Sequence, residues 1–347
     1  MKISAILTLL LLFFHYSFSQ ADESYFEFEY EGVSLHGVLN LPQSDSVKGL
    51  VLIIHGSGRT QAVAQNMHGD VRMSLVEAGY ATYMWDKMGC GKSGGTFDYN
   101  QTVQSSADEA IAAIYALQQH KIPGSEEIGL WGISRAGWIN PLIINQYKDI
   151  KFWISVSGVD DKENFNYLFE ENLRIGGMPE DSIQLLSAEL KEGARISHTG
   201  GSYENYLAAT QHLWKNAFWL RFNQTSQPNE TGYYAFQKDF MEEKMDSLTG
   251  LIVYVPGFDS ILSQVNCPVL AIFGEKDKNV DWQKTKALYE STLGKRVDLS
   301  IESFPNGNHN LFQCNTGGFY EFQDDKLPWN RCEGFLDAMK NWIRKLD

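Results

Sequence analysis

The sequence predicts an α/β fold in which a mostly parallel sheet is covered by helices on both faces. Short apolar runs alternate with stretches of helical spacing over residues 49–157, and the alternation resumes after about residue 267. This pattern is typical of a parallel sheet, because each crossover between parallel strands needs a connecting helix. A polar, aromatic-rich, helix-like segment interrupts it. We therefore expect a core in two parts, residues 21–158 and 256–347, separated by a mainly helical insertion at 159–255.

The first part of the core begins with two strands. Residues 25–30 and 33–41 alternate apolar and polar side chains, which predicts an antiparallel pair. The apolar run at 49–54 predicts a strand that is buried on both faces. The amphipathic residues 61–78 predict a helix that ends at Gly79. Then follow, in chain order, a strand at 80–85, a helix at 103–119, a strand at 128–131, a helix with Pro141 near its start and a strand at 152–157.

The second part repeats the pattern after the insertion. A strand is expected at 267–273, a helix at 281–293, a strand at 297–304 and a final helix from about Cys332. The insertion itself carries many aromatic residues, which we interpret chiefly as its own core.

The first 20 residues have the pattern of an export signal. Lys2 supplies a short positive region, residues 6–14 are almost uninterruptedly apolar, and small or polar residues follow as a cleavage site. The apolar run is shorter than the roughly 20 residues that a membrane-spanning helix needs. The sequence has no cysteine near the cleavage site to which a lipid anchor could be attached. We expect a secreted or periplasmic protein without a stable membrane anchor.

The composition narrows the class of protein. The chain has 347 residues, of which 43% are hydrophobic and 21% charged, as in ordinary globular domains. Its net charge of −14 argues against nucleic-acid binding, because phosphate contacts need clustered Lys and Arg. The four cysteines show no metal-binding spacing. Cys314 and Cys332 flank a loop and are the expected disulfide pair of an exported protein, whereas Cys267 is expected to be a buried free thiol. The sequence does not predict an oligomeric state.

Three polar residues follow three predicted strands, each where the strand ends. Ser134 lies in the turn Gly-Ile-Ser-Arg-Ala-Gly (132–137), Asp277 follows the strand that ends near Phe273, and His309 follows the strand that ends at Phe304. The carboxyl ends of parallel strands meet at one edge of a sheet. A serine hydroxyl needs an imidazole to accept its proton, and the imidazole needs a carboxylate to orient it. The sequence therefore predicts a Ser134–His309–Asp277 triad.

Two members of this triad, the acid and the base, have alternatives in the sequence. Asp259 and Asp281 compete with Asp277, which is preferred because it lies immediately beyond its strand. The alternative histidines lie in the N-terminal strands or in the insertion: His36, His198 and His212. His309 is therefore the expected base.

Hydrolysis through a serine also needs donors for an oxyanion. The turn His-Gly-Ser-Gly (55–58) follows the buried strand that ends at Ile54, and its glycines free backbone N–H groups to point into the site. We expect the amides of Ser57 and Arg135 to be these donors. His55 is expected to shape the loop. Residues 86–93 look like a phosphate-binding loop, but Asp86 stands where that motif has its first glycine, and we expect Asp86 to order the turn.

These motifs resemble the serine α/β-hydrolases, in particular the esterases and the serine aminopeptidase or prolyl-oligopeptidase-like branch. The resembling segments span residues 50–310, and only Ala136 departs from the usual glycine at the serine turn. The resemblance implies an α/β-hydrolase fold with eight mostly parallel strands, a cap inserted after the sixth strand, and catalysis through an acyl-enzyme without a metal or organic cofactor.

A small carboxylic ester is the expected substrate class. The alternatives are a short peptide or amide, a thioester, and a non-catalytic binding protein that keeps the fold.

Overall fold

The computed structural model describes residues 22–44, 46–160, 165–225, 227–242, 244–245 and 253–346. The predicted export signal lies outside these residues. The eight strands of the described chain are β1 Asp22–Tyr30, β2 Val33–Leu41, β3 Leu50–Ile54, β4 Ala81–Trp85, β5 Ile128–Ile133, β6 Phe152–Val156, β7 Val269–Gly274 and β8 Leu299–Phe304.

The strands form one sheet in the order β1-β2-β4-β3-β5-β6-β7-β8. β1 pairs antiparallel with β2, and β2 pairs antiparallel with β4. The remaining pairings, which join β4, β3, β5, β6, β7 and β8 in that order, are all parallel. The predicted α/β fold with an eight-stranded, mostly parallel sheet is therefore confirmed.

Twelve α-helices and a short 3-10 helix occupy the described residues. They are α1 Gly69–Glu77, α2 Val103–Gln119, α3 Ala136–Gln146, α4 Phe165–Ile175, α5 Glu180–His198, α6 Tyr203–Ala209, the 3-10 helix Leu213–Lys215, α7 Ala217–Phe222, α8 Glu230–Phe240, α9 Phe258–Leu262, α10 Trp282–Thr292, α11 Glu321–Asp324 and α12 Phe335–Ile343. Helices α4–α8 lie between β6 and β7 in the chain, where the sequence predicts the insertion.

The core lies on both faces of the sheet. Every residue of β3, β4, β5, β6 and β7 is buried, which explains why these strands are nearly continuous apolar runs. Helices α2, α3, α9 and α10 contribute to the cluster on one face, and α1 and α12 to the cluster on the other. The insertion has a cluster of its own, which includes Phe169, Ile183 and Trp219.

Three sequence-based expectations differ from the structure. Helix α1 begins only at Gly69, because residues 61–68 form turns in which Asn66 and His68 have positive φ. Pro141 lies in the middle of α3 instead of near its start. Helix α12 begins at Phe335, after Gly334 in the left-handed region.

The expected Cys314–Cys332 disulfide is absent from the structure. Both residues are buried free thiols, as are Cys90 and Cys267. The Cys314 thiol lies 3.4 Å from the carbonyl oxygen of Asn306. Burial raises the pKa of Cys314 to about 12 and also raises the pKa of Cys332, because a desolvated thiolate is unfavourable. The loop that they flank is closed instead by Glu321, whose carboxylate accepts bonds from the N–H groups of residues 315–317.

Within the described ranges, no helix is both long and apolar enough to cross a bilayer. The same part of the chain contains no group of three or more His, Cys, Asp or Glu side chains that could hold a metal ion.

Candidate active site

Ser134 is the first residue of a two-residue turn between β5 and α3. Its φ is +58°, in the left-handed region that non-glycine residues rarely adopt. The Ser134 N–H donates to the carbonyl of Val156 on the neighbouring strand β6 at 3.0 Å, and its own carbonyl accepts from Gly137 at 2.7 Å. The turn is therefore held from both sides in a conformation that costs about 1–2 kcal/mol. Strain of this kind persists only where the surrounding structure enforces it.

The small residues around Ser134 are required by close approach. A Cβ atom on Gly132 would lie 2.5 Å from the Cβ of Ala136 and 2.6 Å from Nδ2 of Asn140. A Cβ on Gly137 would lie 2.8 Å from the backbone nitrogen of Val159. The strand and the helix thus approach too closely for larger side chains, which is the reason for the sequence motif.

The structure brings His309 and Asp277 together. Nδ1 of His309 lies 2.8 Å from Oδ2 of Asp277, and the side chains are 10% and 0% exposed. The carboxylate can only accept, so Nδ1 of His309 carries the proton and Nε2 is left to act as a base. The other oxygen of Asp277 accepts from the N–H groups of Asn279 at 2.8 Å and Val280 at 3.0 Å. Asp277 is therefore fully hydrogen-bonded in its buried position.

The loop that carries His309 is ordered by local hydrogen bonds. Oδ1 of Asn308 accepts from the N–H groups of Asn310 at 2.9 Å and Phe312 at 3.0 Å. The loop also packs directly on the end of β7, since a Cβ on Gly274 would lie 2.3 Å from the carbonyl oxygen of Asn308. The close contact of these two loops explains how His309 reaches Asp277.

The two alternative acids lie at the starts of helices α10 and α9. Asp281 caps α10, where its side chain accepts from the N–H of Lys284. Asp259 lies in the first turn of α9. Of the alternative histidines, His36 pairs with Glu27 and His212 with Glu189.

The turn at residues 55–58 adjoins Ser134. β3 and β5 are neighbouring parallel strands in which Ile54 pairs with Gly132, so the turns that follow them lie side by side. A Cβ on Gly56 would lie 3.7 Å from the Cβ of Ser134. Within the described chain, the Ser57 N–H has no hydrogen-bond partner. Arg135 begins the turn into α3, so the two predicted oxyanion donors belong to adjacent turns. The hydroxyl of Ser134 makes no hydrogen bond with His309 among the described residues; such bonds commonly tighten only when substrate binds.

His55 lies beneath this turn and is buried. Its Nε2 donates to the carbonyl of Trp85 at 2.6 Å. Burial, together with the nearby cation of Lys87, lowers the pKa of His55 well below its usual value. His55 is therefore a neutral support for the turn, in keeping with the expectation from the sequence.

The sequence-based prediction does not include a charged cluster beneath the turn, in which Lys87 and Glu109 are buried and Arg135 is half-buried. Lys87, Glu109 and Arg135 line one small cavity together with His55 and Trp85. Oε1 of Glu109 accepts from the Trp85 indole N–H at 2.6 Å, and the Arg135 guanidinium donates to Oγ of Ser106 at 3.0 Å. Burial raises the pKa of Glu109. Glu109 is a charged residue among the buried positions of α2, and no pattern in the sequence marks it as buried.

Two protein families match different parts of the chain. Residues 45–164 match the model of the serine aminopeptidases, S33, and residues 256–340 match the model of the dienelactone hydrolase family. The first match contains the Ser134 turn, and the second contains both Asp277 and His309. No protein with a curated description matches the chain in sequence.

Solved structures share the fold at low sequence identity. An esterase of Pyrococcus furiosus is 16% identical with a TM-score of 0.51, and the alignment covers 94% of this chain and 92% of that one. A proline iminopeptidase of Mycobacterium smegmatis is 15% identical with a TM-score of 0.52, covering 93% and 98%. Together with the sheet order, these similarities show that the chain has the α/β-hydrolase fold, and the two family matches relate separate parts of it to hydrolase families.

Proposed function

We propose that the protein is a serine hydrolase that cleaves carboxylic esters through an acyl-enzyme. The observation that carries this proposal is the buried His309–Asp277 pair at the strand edge where Ser134 occupies a strained turn. Nε2 of His309 accepts the proton of Ser134 as the hydroxyl attacks the ester carbonyl. The amides of Ser57 and Arg135 hold the resulting oxyanion. His309 returns the proton to the leaving alcohol, and water releases the acyl group in a second, equivalent step.

A fluorophosphonate probe tests the nucleophile. We expect the wild-type protein to be labelled and the Ser134→Ala variant to remain unlabelled and inactive. A matched control is Ser57→Ala, which removes a neighbouring hydroxyl but keeps the backbone N–H, and which should still be labelled. Labelling that survives Ser134→Ala would contradict the proposed nucleophile.

The second candidate is peptide or amide hydrolysis. It is favoured by the match of residues 45–164 to the serine aminopeptidases and by the similarity to a proline iminopeptidase. Both candidates share the chemistry at Ser134, so the substrate decides between them. p-Nitrophenyl esters of rising acyl length should be assayed beside aminoacyl and prolyl p-nitroanilides. Faster turnover of the best anilide than of every ester would reverse our preference.

Export is also proposed, on the basis of residues 1–20. Expression of the full chain in a bacterial host should give a periplasmic or extracellular product that has lost these residues, as mass spectrometry would show. A cytoplasmic product of full length would contradict it.

A further inference from the structure

Lys87, two residues beyond the end of β4, is a buried lysine that the proposed mechanism does not use. Only 8% of the surface of Lys87 is exposed to solvent. Its ammonium donates to the carbonyl of Gly56 at 2.7 Å and to the carbonyl of Gly58 at 2.8 Å. Both acceptors belong to the turn that adjoins Ser134. A lysine is seldom buried without a carboxylate partner in direct contact, so bonds to two backbone carbonyls need an explanation.

The explanation comes from the geometry of the peptide group. The carbonyl of Gly56 and the N–H of Ser57 belong to one planar trans peptide, in which they point in opposite directions. Lys87 holds the carbonyl, so the Ser57 N–H points away from Lys87. Rotation of this peptide would direct a carbonyl oxygen where the N–H now points, and it would break the bond to the ammonium. The lysine therefore selects one of the two orientations.

The charge of Lys87 also acts through the same peptide. A cation bound to a carbonyl oxygen polarises the amide and makes its N–H a better donor, because hydrogen bonds in a chain strengthen one another. The effect is largest where the local dielectric is low, as it is around the buried Lys87 side chain beneath this turn.

We propose that Lys87 is a positioning residue for the oxyanion site: its ammonium fixes the Gly56–Ser57 peptide and strengthens the Ser57 N–H as a donor to the negative charge that develops on the substrate. This inference rests on the proposed hydrolase function. It assigns a role to the motif at residues 86–93 that resembles a phosphate-binding loop.

The rest of that motif keeps Lys87 in place. Asp86 accepts from the N–H of Val63 at 3.1 Å and from the N–H of Lys92 at 2.8 Å. A Cβ on Gly91 would lie 2.0 Å from the Asp86 carboxylate, so the turn closes tightly around this side chain. The Lys87 N–H donates to the carbonyl of Thr60 at 3.2 Å. The motif and the turn at 55–58 are thus tied together at several points.

Several charged and titratable groups face Lys87. Arg135 lies nearby in the turn that leads into α3, and Glu109 lies on α2. Cys90 belongs to the motif itself, and His55 follows β3. Burial, with Arg135 as the next contribution, lowers the pKa of Lys87 to about 8. The ammonium is the active form, so activity should fall as the pH rises through this value.

The test compares kcat, KM and inhibitor affinity in three variants. Lys87→Met removes the charge and the donors, Lys87→Arg keeps both, and Lys92→Met is the matched control, because Lys92 is an exposed lysine of the same motif. The inhibitor is a trifluoromethyl ketone, which forms a tetrahedral adduct that bears an oxyanion. For Lys87→Met we expect kcat and inhibitor affinity to fall together by about 10- to 100-fold while KM changes little. Lys92→Met should match the wild type.

The pH profile provides a second readout. In the wild type, kcat should decline above a pH of about 8, and in Lys87→Arg this decline should move to higher pH, because a guanidinium stays protonated. Unchanged kcat and inhibitor affinity in a folded Lys87→Met would overturn the inference. If neither variant folds, a wild-type kcat that is independent of pH between 7 and 10 overturns it. Ester hydrolysis that persists in Ser134→Ala would instead contradict the proposed function, so the two failures are distinguishable.

Discussion

The two sides of the candidate site are stabilised in different ways. On the nucleophile side, at the ends of β3, β4 and β5, the determinants are a strained φ at Ser134, close contacts of Gly132 with the side chains of α3 and the buried ammonium of Lys87. On the acid–base side, at the ends of β7 and β8, side chains are held by hydrogen bonds to backbone N–H groups. Backbone strain at the functional residue therefore distinguishes the first side, whereas the carboxylate of Asp277 on the second side depends on backbone N–H donors. Substitutions should fail for different reasons on the two sides.

The histidines show the same contrast. On the nucleophile side, His55 is buried close to the cation of Lys87 and has a lowered pKa. On the acid–base side, His309 is paired with the carboxylate of Asp277. Only the second arrangement can stabilise an imidazolium, which is what a base in proton transfer must become.

The largest effect is expected at the acid. Asp277→Asn keeps the shape but places an amide beside Nδ1 of His309, which favours the wrong tautomer, and kcat should fall by roughly 10³- to 10⁴-fold. Asp281→Asn is the matched control: Asn is as good a helix cap as Asp, so activity and stability should both persist. Steady-state kinetics and thermal unfolding measure both quantities. Loss of activity in Asp281→Asn but not in Asp277→Asn would identify Asp281 as the acid.

The next effect concerns the free energy of unfolding at low pH. Burial, with Arg331 as the next contribution, lowers the pKa of His68 to about 4 from its usual 6.5, so the unfolded chain binds the proton more readily than the folded protein. Stability from this group is complete above a pH of about 6.5 and is lost as the pH falls toward 4, by at most roughly 3 kcal/mol.

His68→Asn should therefore reduce the loss of stability between pH 6.5 and 4, measured by urea denaturation. Asn tolerates the φ of +52° at this position, so the backbone is preserved. His120→Asn, at an exposed histidine, is the control and should leave the pH dependence as it is in the wild type. An equal slope for His68→Asn and the wild type would mean that His68 is not buried in the neutral form.

The sequence predicts the sheet well, and it names Asp277 and His309 as the pair that the structure brings together. Continuous apolar runs indicate buried strands, and the order Ser134, Asp277, His309 places each residue after a strand. The start of α1 was not predictable from periodicity, because residues 61–68 keep a helix-like spacing while turn conformations at Asn66 and His68 interrupt the helix.

The nucleophile side is less predictable. The role of Lys87 depends on two backbone carbonyls that lie about 30 residues away in the chain, and no local pattern identifies such acceptors. The thiols of Cys314 and Cys332 illustrate a similar limit, since spacing alone does not determine whether two cysteines pair.

A smaller effect should reveal the backbone strain at Ser134. Ser134→Gly and Ser134→Ala are both expected to be inactive, but the glycine variant should be more stable by about 1 kcal/mol, because glycine adopts positive φ without a steric penalty. The free energies of unfolding in urea measure the difference. At Ser291 in α10, the same pair of substitutions should show the opposite order, since glycine is the poorer helix former. If the alanine variant is more stable than the glycine variant at both positions, the backbone at Ser134 is not strained.

The smallest expected effect concerns a hydrogen bond between the insertion and the acid–base side. The hydroxyl of Tyr167, on α4, donates to the carbonyl of Asp277 at 3.1 Å. Tyr167→Phe removes one hydrogen bond of about 1 kcal/mol, so kcat should fall only a few-fold while KM for a short ester stays constant. Tyr234→Phe is the control, because its hydroxyl bonds within the insertion to the N–H of Tyr203. A change in KM alone would instead indicate that Tyr167 acts on the substrate, and that the insertion contributes binding more than it supports the position of Asp277.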